Sequence, residues 1–223
     1  MLQIVYLYGF ASGPHSNKAQ FFKRIFSTAT IPFDIYDYIP DKASFTNMKL
    51  SILTKNLHLY IEDEHPKEEE LILFGSSFGA LISALYTFIH PDRIKKLILM
   101  APALGFSAQR IVKLYNIPLI VWKKKGVIPI FHYRYDQEIP LDYSFYEDLV
   151  SHPPPDIEKL RIPIPTLILH GRFDEVVPLV WSRQYAEINP EATLHILNGD
   201  HQLLDQKEVM GEIIVDFLNK GRR

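Results

Sequence analysis

The sequence predicts an α/β fold, in which a mostly parallel β-sheet carries helices on both faces. Through residues 1–103, short apolar runs alternate with amphipathic patterns in the order strand, helix, strand, helix, strand, helix, strand. The same alternation resumes over residues 164–223. Alternation of this kind favours parallel strands that are joined by right-handed helical crossovers.

The composition fits one globular domain that carries an insertion. The chain has 223 residues, of which 47% are hydrophobic and 13% aromatic, and its net charge is −2. A charge this close to zero indicates neither a nucleic-acid partner nor an anionic membrane surface. The sequence contains no cysteine, which excludes a disulfide framework, a cysteine-ligated metal site and a thiol nucleophile.

The N-terminus and the apolar runs give an expectation about location. The opening stretch MLQIVYLYGF lacks the basic region of a signal peptide, and its apolar run is short. No run reaches the roughly 18 apolar residues that a membrane-spanning helix needs. We therefore expect a cytoplasmic protein without membrane association.

The first part of the core is predicted from short apolar runs and from one-sided apolar faces. Strands are expected at residues 2–8, 33–36, 71–74 and 94–100. Helices are expected at residues 18–26, with Asn17 as the N-cap, at about 46–62, and from Ser77 to about His90.

Residues 104–163 break this alternation, and we expect them to form a lid inserted between two strands. The stretch has scattered aromatic residues, no long clean strand, helical pieces at 107–115 and 144–152, and a triple-proline exit at 153–155. An insertion at the carboxyl edge of a parallel sheet lies over the site, because ligands bind at that edge. Packing elsewhere on the domain is the alternative.

The second part of the core, residues 164–223, returns to the α/β pattern. It is predicted to contain a strand at 166–169, a loop at 170–178 and a helix at 179–188. A strand at 193–197, a turn at 198–201 and an amphipathic helix at 203–219 complete the domain.

A glycine-flanked turn between a strand and a helix supplies the candidate nucleophile. Gly75-Ser76-Ser77-Phe78-Gly79 directly follows the apolar run at 71–74. In this context the G-x-S-x-G pattern is typical of a sharp, strained turn that exposes the central serine hydroxyl. Ser77 is therefore the candidate nucleophile, and a glycine- and serine-rich turn without chemistry is the alternative.

Two downstream loops supply the partners that such a serine needs. Asp174 follows one predicted strand and His201 follows the next, so both lie at the same edge of the sheet. The order Ser, Asp, His is the one expected when the nucleophile lies in the middle of an α/β sheet. A serine hydroxyl needs an imidazole to take its proton, and the imidazole needs a carboxylate to orient it.

Other polar residues near these loops are weaker candidates. Asp200 is adjacent to His201, but adjacent side chains in a turn rarely point together, and Glu175 is one position away from Asp174. His170 directly follows a strand and is interpreted as a structural histidine bonded to backbone. His15, in the first loop, could line the site or lie on the surface.

Acyl transfer also needs two donors for the developing oxyanion. The backbone N–H of Phe78 opens a helix and is one candidate, and that of Phe10, in the loop after the first strand, is the other. The nine histidines form no pattern typical of a metal site, so we expect neither a metal nor a cofactor.

These motifs resemble those of the α/β-hydrolase superfamily. The matching segments are LFGSSFG, LILHGRFDEVVP and NGDHQLLD, and the opening YLYGFASGPHSNKAQFF is similar to that of small YqiA/YcfP-like esterases. The resemblance runs over nearly the whole chain and implies six parallel strands with a lid between the fourth and fifth. It implies Ser77 as nucleophile, Asp174 as acid and His201 as base, with Phe10 and Phe78 as oxyanion donors.

One position departs from the family pattern. Most relatives have histidine before the glycine of the first loop, where this chain has Tyr8. The oxyanion donor in this loop is a backbone N–H and does not depend on the side chain at position 8. The anchoring of the loop and the polarity of the pocket do depend on that side chain. We expect substrate contacts from Tyr8 and from lid aromatics, namely Trp122, Tyr143 and Phe145.

The sequence therefore predicts a serine hydrolase that forms an acyl-enzyme. The expected substrate is a small-molecule carboxylic ester or thioester, with an apolar or aromatic group that suits the aromatic lid. Two alternatives remain open. One is a hydrolase-fold module that binds a ligand or a protein without turnover, and the other is a C–C or amide hydrolase that uses the same triad.

Overall fold

The computed structural model describes residues 2–67 and 69–220. Its strands are β1 (Leu2–Leu7), β2 (Phe33–Ile35), β3 (Glu70–Ser76), β4 (Ile94–Met100), β5 (Val127–His132), β6 (Gln137–Asp142), β7 (Thr166–Gly171) and β8 (Ala192–Leu197). Its helices are α1 (Asn17–Thr28), α2 (Lys42–Thr46), α3 (Leu50–Glu64), α4 (Phe78–Ile89), α5 (Ala108–Leu114), α6 (Leu119–Lys125), α7 (Ser144–Ser151), α8 (Leu179–Ile188) and α9 (Lys207–Asn219).

Six of the strands form one parallel sheet in the order β2-β1-β3-β4-β7-β8. This confirms the predicted α/β fold. Strands β1 and β7 are buried along their whole length, as expected where helices cover both faces of a parallel sheet. Helix α4 is apolar on nearly every side and is buried almost throughout.

The direction of the connections places the helices on opposite faces. The chain moves through α1 from β1 toward one edge of the sheet, and through α4 from β3 toward the other. Because both crossovers are right-handed, their helices cover different faces. Helix α1 packs with α9, and α3 packs with α4, in agreement with this arrangement. The strand order reverses between β1 and β3, where ligands bind in such sheets.

Helix boundaries differ from the predictions where a local hydrogen bond decides them. Helix α1 is capped by Ser16, whose Oγ accepts from the N–H of Ala19 at 3.4 Å, so the expected N-cap at Asn17 is wrong by one residue. The helix expected from residue 46 begins at Leu50 and is preceded by the short α2. Asp41 caps α2 by accepting from the N–H of Ser44 at 2.7 Å.

The chain between β4 and β7, residues 101–165, leaves the sheet and is called here the intervening segment. It contains α5, α6, α7 and an antiparallel hairpin of the six-residue strands β5 and β6, which the sequence patterns did not predict. Polar contacts to three separate elements are among those that join it to the rest of the domain. The N–H of Tyr133 donates to the carbonyl of Ala11 at 2.9 Å, the Arg134 guanidinium lies 2.9 Å from Asp37, and Asp148 accepts from the N–H of Ser51 at 3.1 Å.

No helix in residues 2–67 or 69–220 combines the length and the apolar character that crossing a membrane requires.

His132, at the end of β5, is buried without a polar partner. Its side chain is 1% exposed, and neither ring nitrogen forms a hydrogen bond. The ring packs edge-on against Phe45, with centroids 4.6 Å apart, and lies 4.8 Å from the ring of Tyr135. Burial, assisted by the positive charge of Arg134, lowers the pKa of His132 to about 4.

The His132→Phe substitution should reduce the sensitivity of folding to acid. Between about pH 6.5 and pH 4, the unfolded chain binds a proton at this histidine and the folded chain does not. The free energy of unfolding therefore decreases as the pH is lowered through this range. The variant should therefore lose about 1–2 kcal/mol less than the wild type between pH 7 and pH 5.

Urea unfolding at the two pH values measures this difference. The same substitution at the exposed His15 is the matched control. If the free energy of unfolding depended equally on pH in the wild type and in His132→Phe, the lowered pKa of His132 would be contradicted.

Candidate active site

The turn after β3 holds Ser77 in a strained backbone conformation. Its φ and ψ are 54° and −112°, a region that residues other than glycine rarely adopt. The turn is held by the N–H of Ser77, which donates to the carbonyl of Met100 at 2.8 Å. A Cβ at Gly75 would lie 2.3 Å from the Cα of Ala80, so only glycine fits there.

Gly79 brings the start of α4 against the end of β1. A Cβ at this position would lie 2.3 Å from the carbonyl oxygens of both Leu7 and Tyr8. This backbone contact sets the loop after β1 beside Ser77. A Cβ built at Gly9, in that loop, would already touch the Cβ of Ser77 at 3.4 Å.

The structure brings Ser77, His201 and Asp174 into one chain of hydrogen bonds. His201 Nε2 lies 3.1 Å from Ser77 Oγ, and His201 Nδ1 lies 2.8 Å from Asp174 Oδ2. Because a carboxylate only accepts hydrogen bonds, Nδ1 carries the proton and Nε2 accepts from the serine hydroxyl. In this arrangement the imidazole can remove the serine proton.

The side chain of Asp174 is fully buried and is held by several donors. Its Oδ1 accepts from the backbone N–H groups of Val176 and Val177, at 2.9 and 2.7 Å. Its Oδ2 accepts from His201 and faces His170 Nε2 at 3.2 Å. Burial alone would raise the pKa of Asp174, but the hydrogen bonds from His170 and His201 hold it well below its usual value. The group is therefore a carboxylate at neutral pH.

His170 has a role that its position in the sequence only partly indicated. Its Nε2 faces two acceptors, the carbonyl of Val177 at 3.1 Å and Asp174, so this nitrogen carries the proton. Its Nδ1 then accepts from the hydroxyl of Ser182 at 2.7 Å. The predicted bond to backbone is present, but no feature of the sequence indicated the contact with Asp174.

Backbone bonds between the loops after β7 and β8 place Asp174 beside His201. The N–H of Arg172 donates to the carbonyl of Leu197 at 2.8 Å, and that of Phe173 to the carbonyl of Gly199 at 3.0 Å. Asp200 is used inside its own turn, where its Oδ1 accepts from the N–H groups of residues 202 and 203. It is therefore not the partner of His201.

The two predicted oxyanion donors meet beside Ser77. Phe10 and Phe78 line the same cavity as the serine, and their rings pack edge to face with centroids 5.6 Å apart. Within the described part of the chain, neither backbone N–H has a hydrogen-bond acceptor. Both groups are therefore available to an oxygen atom of a bound molecule.

The expected contact of Tyr8 with substrate is corrected by its position. Tyr8 is 1% exposed, does not line the cavity with Ser77, and donates through its hydroxyl to Asp37. The same hydroxyl accepts from the N–H of Ile39 at 3.0 Å. The ring of Tyr38 stacks on that of Tyr8 at 4.5 Å, and its hydroxyl donates to the carbonyl of Tyr8 at 2.8 Å. Tyr8 therefore anchors the loop that carries Phe10.

The three predicted contacts from the intervening segment are also corrected. None of Trp122, Tyr143 and Phe145 lines the cavity. Trp122 is fully buried and donates through Nε1 to the carbonyl of Leu141 at 3.2 Å, while Tyr143 packs on its ring. Phe145 is fully buried behind the wall, against the rings of Phe10 and Phe78.

Different side chains form the wall of the cavity, whose volume is about 740 Å³. The intervening segment contributes Phe106, Arg110, Ile111, Leu114, Tyr115 and Tyr133. Helix α8 contributes Trp181, and the first loop and α1 contribute His15 and Lys18. The sequence indicated His15 as a possible lining residue, but it gave no signal for Arg110, Trp181 or Lys18.

Comparison with known protein families assigns the chain to one of them. The model of an uncharacterised protein family, UPF0227, matches residues 3–219, so the chain belongs to this family. A poly(3-hydroxyalkanoate) depolymerase from Ectopseudomonas oleovorans is 25% identical over 179 residues, which cover 68% of this chain and 62% of that protein. A 2-hydroxymuconate semialdehyde hydrolase from Pseudomonas sp. (strain CF600) is 25% identical over 178 residues, with 67% and 62% covered. The chain thus spans about 62% of the length of these curated relatives.

Solved structures share the fold. The α/β hydrolase domain-containing protein 10 from mouse superimposes with a TM-score of 0.77 at 22% identity, with 98% of this chain and 90% of that chain covered. Est1E from Butyrivibrio proteoclasticus, solved with ferulic acid bound, gives a TM-score of 0.81 at 16% identity, with 98% and 88% covered. The chain therefore has the α/β-hydrolase fold.

The Gly79→Ala substitution should destabilise the protein, although alanine is the better helix former. The added Cβ meets two backbone carbonyls that cannot move without separating β1 from α4. We expect a loss of about 3 kcal/mol or more in the free energy of unfolding.

Gly211→Ala, in α9, is the matched control for this substitution. Its Cβ would meet only the terminal Cδ1 of the Ile25 side chain, at 2.8 Å. Chemical denaturation of the two variants makes the comparison, and equal stabilities would refute the proposed role of the contact.

Proposed function

We propose that this protein is a serine hydrolase that cleaves a carboxylic ester or thioester through an acyl-enzyme. The observation that carries the proposal is the chain of hydrogen bonds from Ser77 Oγ through the His201 ring to Asp174. The strained turn at Ser77 and the two unpaired backbone N–H groups beside it support the same chemistry.

In the first half of the reaction, Ser77 attacks the carbonyl carbon of the substrate. As the bond from Oγ to carbon forms, the hydroxyl proton passes to His201 Nε2, and the buried Asp174 carboxylate stabilises the imidazolium. The carbonyl oxygen becomes an oxyanion that accepts from the N–H groups of Phe10 and Phe78. The intermediate then collapses, and the leaving alcohol or thiol takes the proton from Nε2.

In the second half, water repeats the sequence on the acyl-enzyme. His201 removes a proton from the water, whose oxygen attacks the acyl carbon, and the same two N–H groups hold the oxyanion. Collapse returns the proton to Ser77 Oγ and releases a carboxylic acid. The free enzyme is restored without a further reactant.

The wall of the cavity supports a small substrate with an apolar or aromatic part. Phe10, Phe106, Ile111, Tyr115 and Trp181 face the same space as Ser77. We propose that the intervening segment acts as a lid over the carboxyl edge of the sheet, because it supplies much of this wall. Apolar walls of this kind exclude water from the reacting groups.

The names of the curated relatives are consistent with a hydrolytic reaction. The curated proteins similar to this chain are named as a depolymerase and as hydrolases. The proposal of an ester or thioester bond rests on the geometry at Ser77, and C–C or amide cleavage by the same triad is an outcome that the experiments below distinguish.

Ser77→Ala should abolish both covalent labelling and turnover. We expect a fluorophosphonate probe to label the wild type by displacement of fluoride, and the wild type to hydrolyse short p-nitrophenyl esters. The variant should lose labelling and about 10⁶-fold in kcat. If the wild type were neither labelled nor active, the proposal that the protein is an enzyme would be wrong. Labelling without ester turnover would instead indicate that the triad cleaves amide or C–C bonds.

Asp174→Asn should lower kcat by about 10⁴-fold, because an amide can no longer hold the required tautomer of His201. Asp200→Asn is the matched control, since Asp200 is adjacent to His201 in sequence but bonds only to backbone N–H groups of its own turn. Steady-state kinetics with one p-nitrophenyl ester compares the two variants. If Asp200→Asn lowered kcat more than Asp174→Asn did, the assignment of Asp174 as the partner of His201 would be wrong.

A further inference from the structure

The cavity at Ser77 is positively charged, although the chain as a whole is not. Lys18 and Arg110 line it, and none of its lining residues is an aspartate or a glutamate. The whole chain carries a net charge of −2. The buried Asp174 lies behind His201, where its oxygens are occupied by hydrogen bonds. A bound anion would therefore meet two cations in the wall, which no carboxylate side chain lines.

Arg110 is already held by the protein. Its Nη2 donates to the carbonyl of Val176 at 2.7 Å, and its guanidinium carbon lies 5.4 Å from the centre of the Trp181 ring. These contacts fix the guanidinium against the wall of the cavity. Arg110 thus has a structural explanation that needs no ligand.

Lys18 has no such explanation. It lies in the first turn of α1 and is partly buried, and no hydrogen bond or ion pair joins its ammonium to the residues that the structure describes. A cation in the first turn of a helix is unfavourable, because the helix dipole places partial positive charge there. Keeping an unpaired ammonium in a partly desolvated place costs free energy. A bound anion would offset this cost by pairing with the ammonium.

The surroundings of Lys18 shift its protonation equilibrium. Burial lowers the pKa of Lys18 to about 8, while attraction from Asp174 and Asp200 acts in the opposite direction. His15, Arg110 and His201 line the same cavity. The lysine therefore keeps its charge at neutral pH and loses it in mildly alkaline solution.

We propose that Lys18 binds a carboxylate on the substrate, so that the natural substrate is an ester or thioester that carries a free carboxylate beside its apolar part. This inference rests on the proposed hydrolase function. One unpaired ammonium matches the single charge of a carboxylate, and the aromatic and aliphatic wall accommodates the carbon chain between that group and the scissile bond.

Matched pairs of esters test the preference. On the acyl side, p-nitrophenyl half-esters of adipic and suberic acid are compared with p-nitrophenyl hexanoate and octanoate. On the leaving-group side, p-acetoxybenzoate is compared with its methyl ester. We expect the wild type to favour the carboxylate in at least one pair by about tenfold or more in kcat/KM. No preference in any pair overturns the inference.

Variants at position 18 assign the preference to the lysine. In Lys18→Met the ratio of kcat/KM for the charged and neutral members should fall toward one, mainly through KM, and Lys18→Arg should keep most of it. Lys23→Met removes an exposed charge from the same helix outside the cavity and should keep the ratio. An unchanged ratio in Lys18→Met overturns the inference.

The pH dependence of the same ratio gives a second readout. An effect of pH on the reacting groups is common to both members of a pair and cancels in the ratio. As the pH rises past about 8, Lys18 loses its charge and the wild-type preference should decline. Lys18→Arg, which keeps its charge, should show no such decline. A decline of equal size in both proteins contradicts the role of Lys18.

A binding measurement separates this inference from the hydrolase proposal. Calorimetry with the Ser77→Ala variant requires no turnover, and its probes are monomethyl adipate and dimethyl adipate. The monoester should bind about tenfold or more tightly, and adding Lys18→Met should remove the difference. Equal binding overturns the carboxylate site, whereas absent labelling and turnover in the wild type overturn only the hydrolase proposal.

Discussion

The backbone contact between the end of β1 and the start of α4 determines the geometry of the site. At Gly79 the helix approaches the carbonyls of Leu7 and Tyr8 so closely that no side chain fits between them. This approach brings the loop of Phe10 to the start of the helix at Phe78, and both residues line the cavity with Ser77. The two N–H groups proposed as oxyanion donors belong to the backbone and are therefore preorganised, because no side chain must move to position them. Tyr8 reinforces the arrangement from behind through Asp37 and Ile39.

The buried charge of Asp174 is the second constraint. A carboxylate removed from water is costly unless each oxygen finds donors, and here two backbone N–H groups and two imidazoles provide them. Because His170 is itself held by Ser182 and Val177, the carboxylate cannot rotate without breaking several bonds. The orientation of His201 is therefore set before any ligand binds.

Sequence reasoning succeeded where a motif adjoins the end of a strand and failed where the wall depends on distant packing. Ser77, Asp174 and His201 each follow a strand that an apolar run reveals, so the sheet itself brings them together. Strand β5 was missed because VIPIFH is apolar on both faces and contains a proline, although its residues alternate between exposed and buried in the structure. Trp122 and Phe145 were expected in the cavity for their aromatic character, but such rings also serve as core, which sequence alone does not distinguish.

The core and the surrounding elements make separate contributions to the cavity. The sheet supplies the groups proposed for the chemistry, whereas α1, α8 and the intervening segment supply the wall that a substrate meets. Asp174 does not line that wall, and its oxygens are engaged by His170, His201 and the backbone, although its charge still attracts Lys18. The proposed chemistry and the choice of bound molecule can thus change independently in this fold: a substitution in the wall would alter which molecule the cavity accepts, while the strand ends keep the serine, the imidazole and the two N–H groups in register.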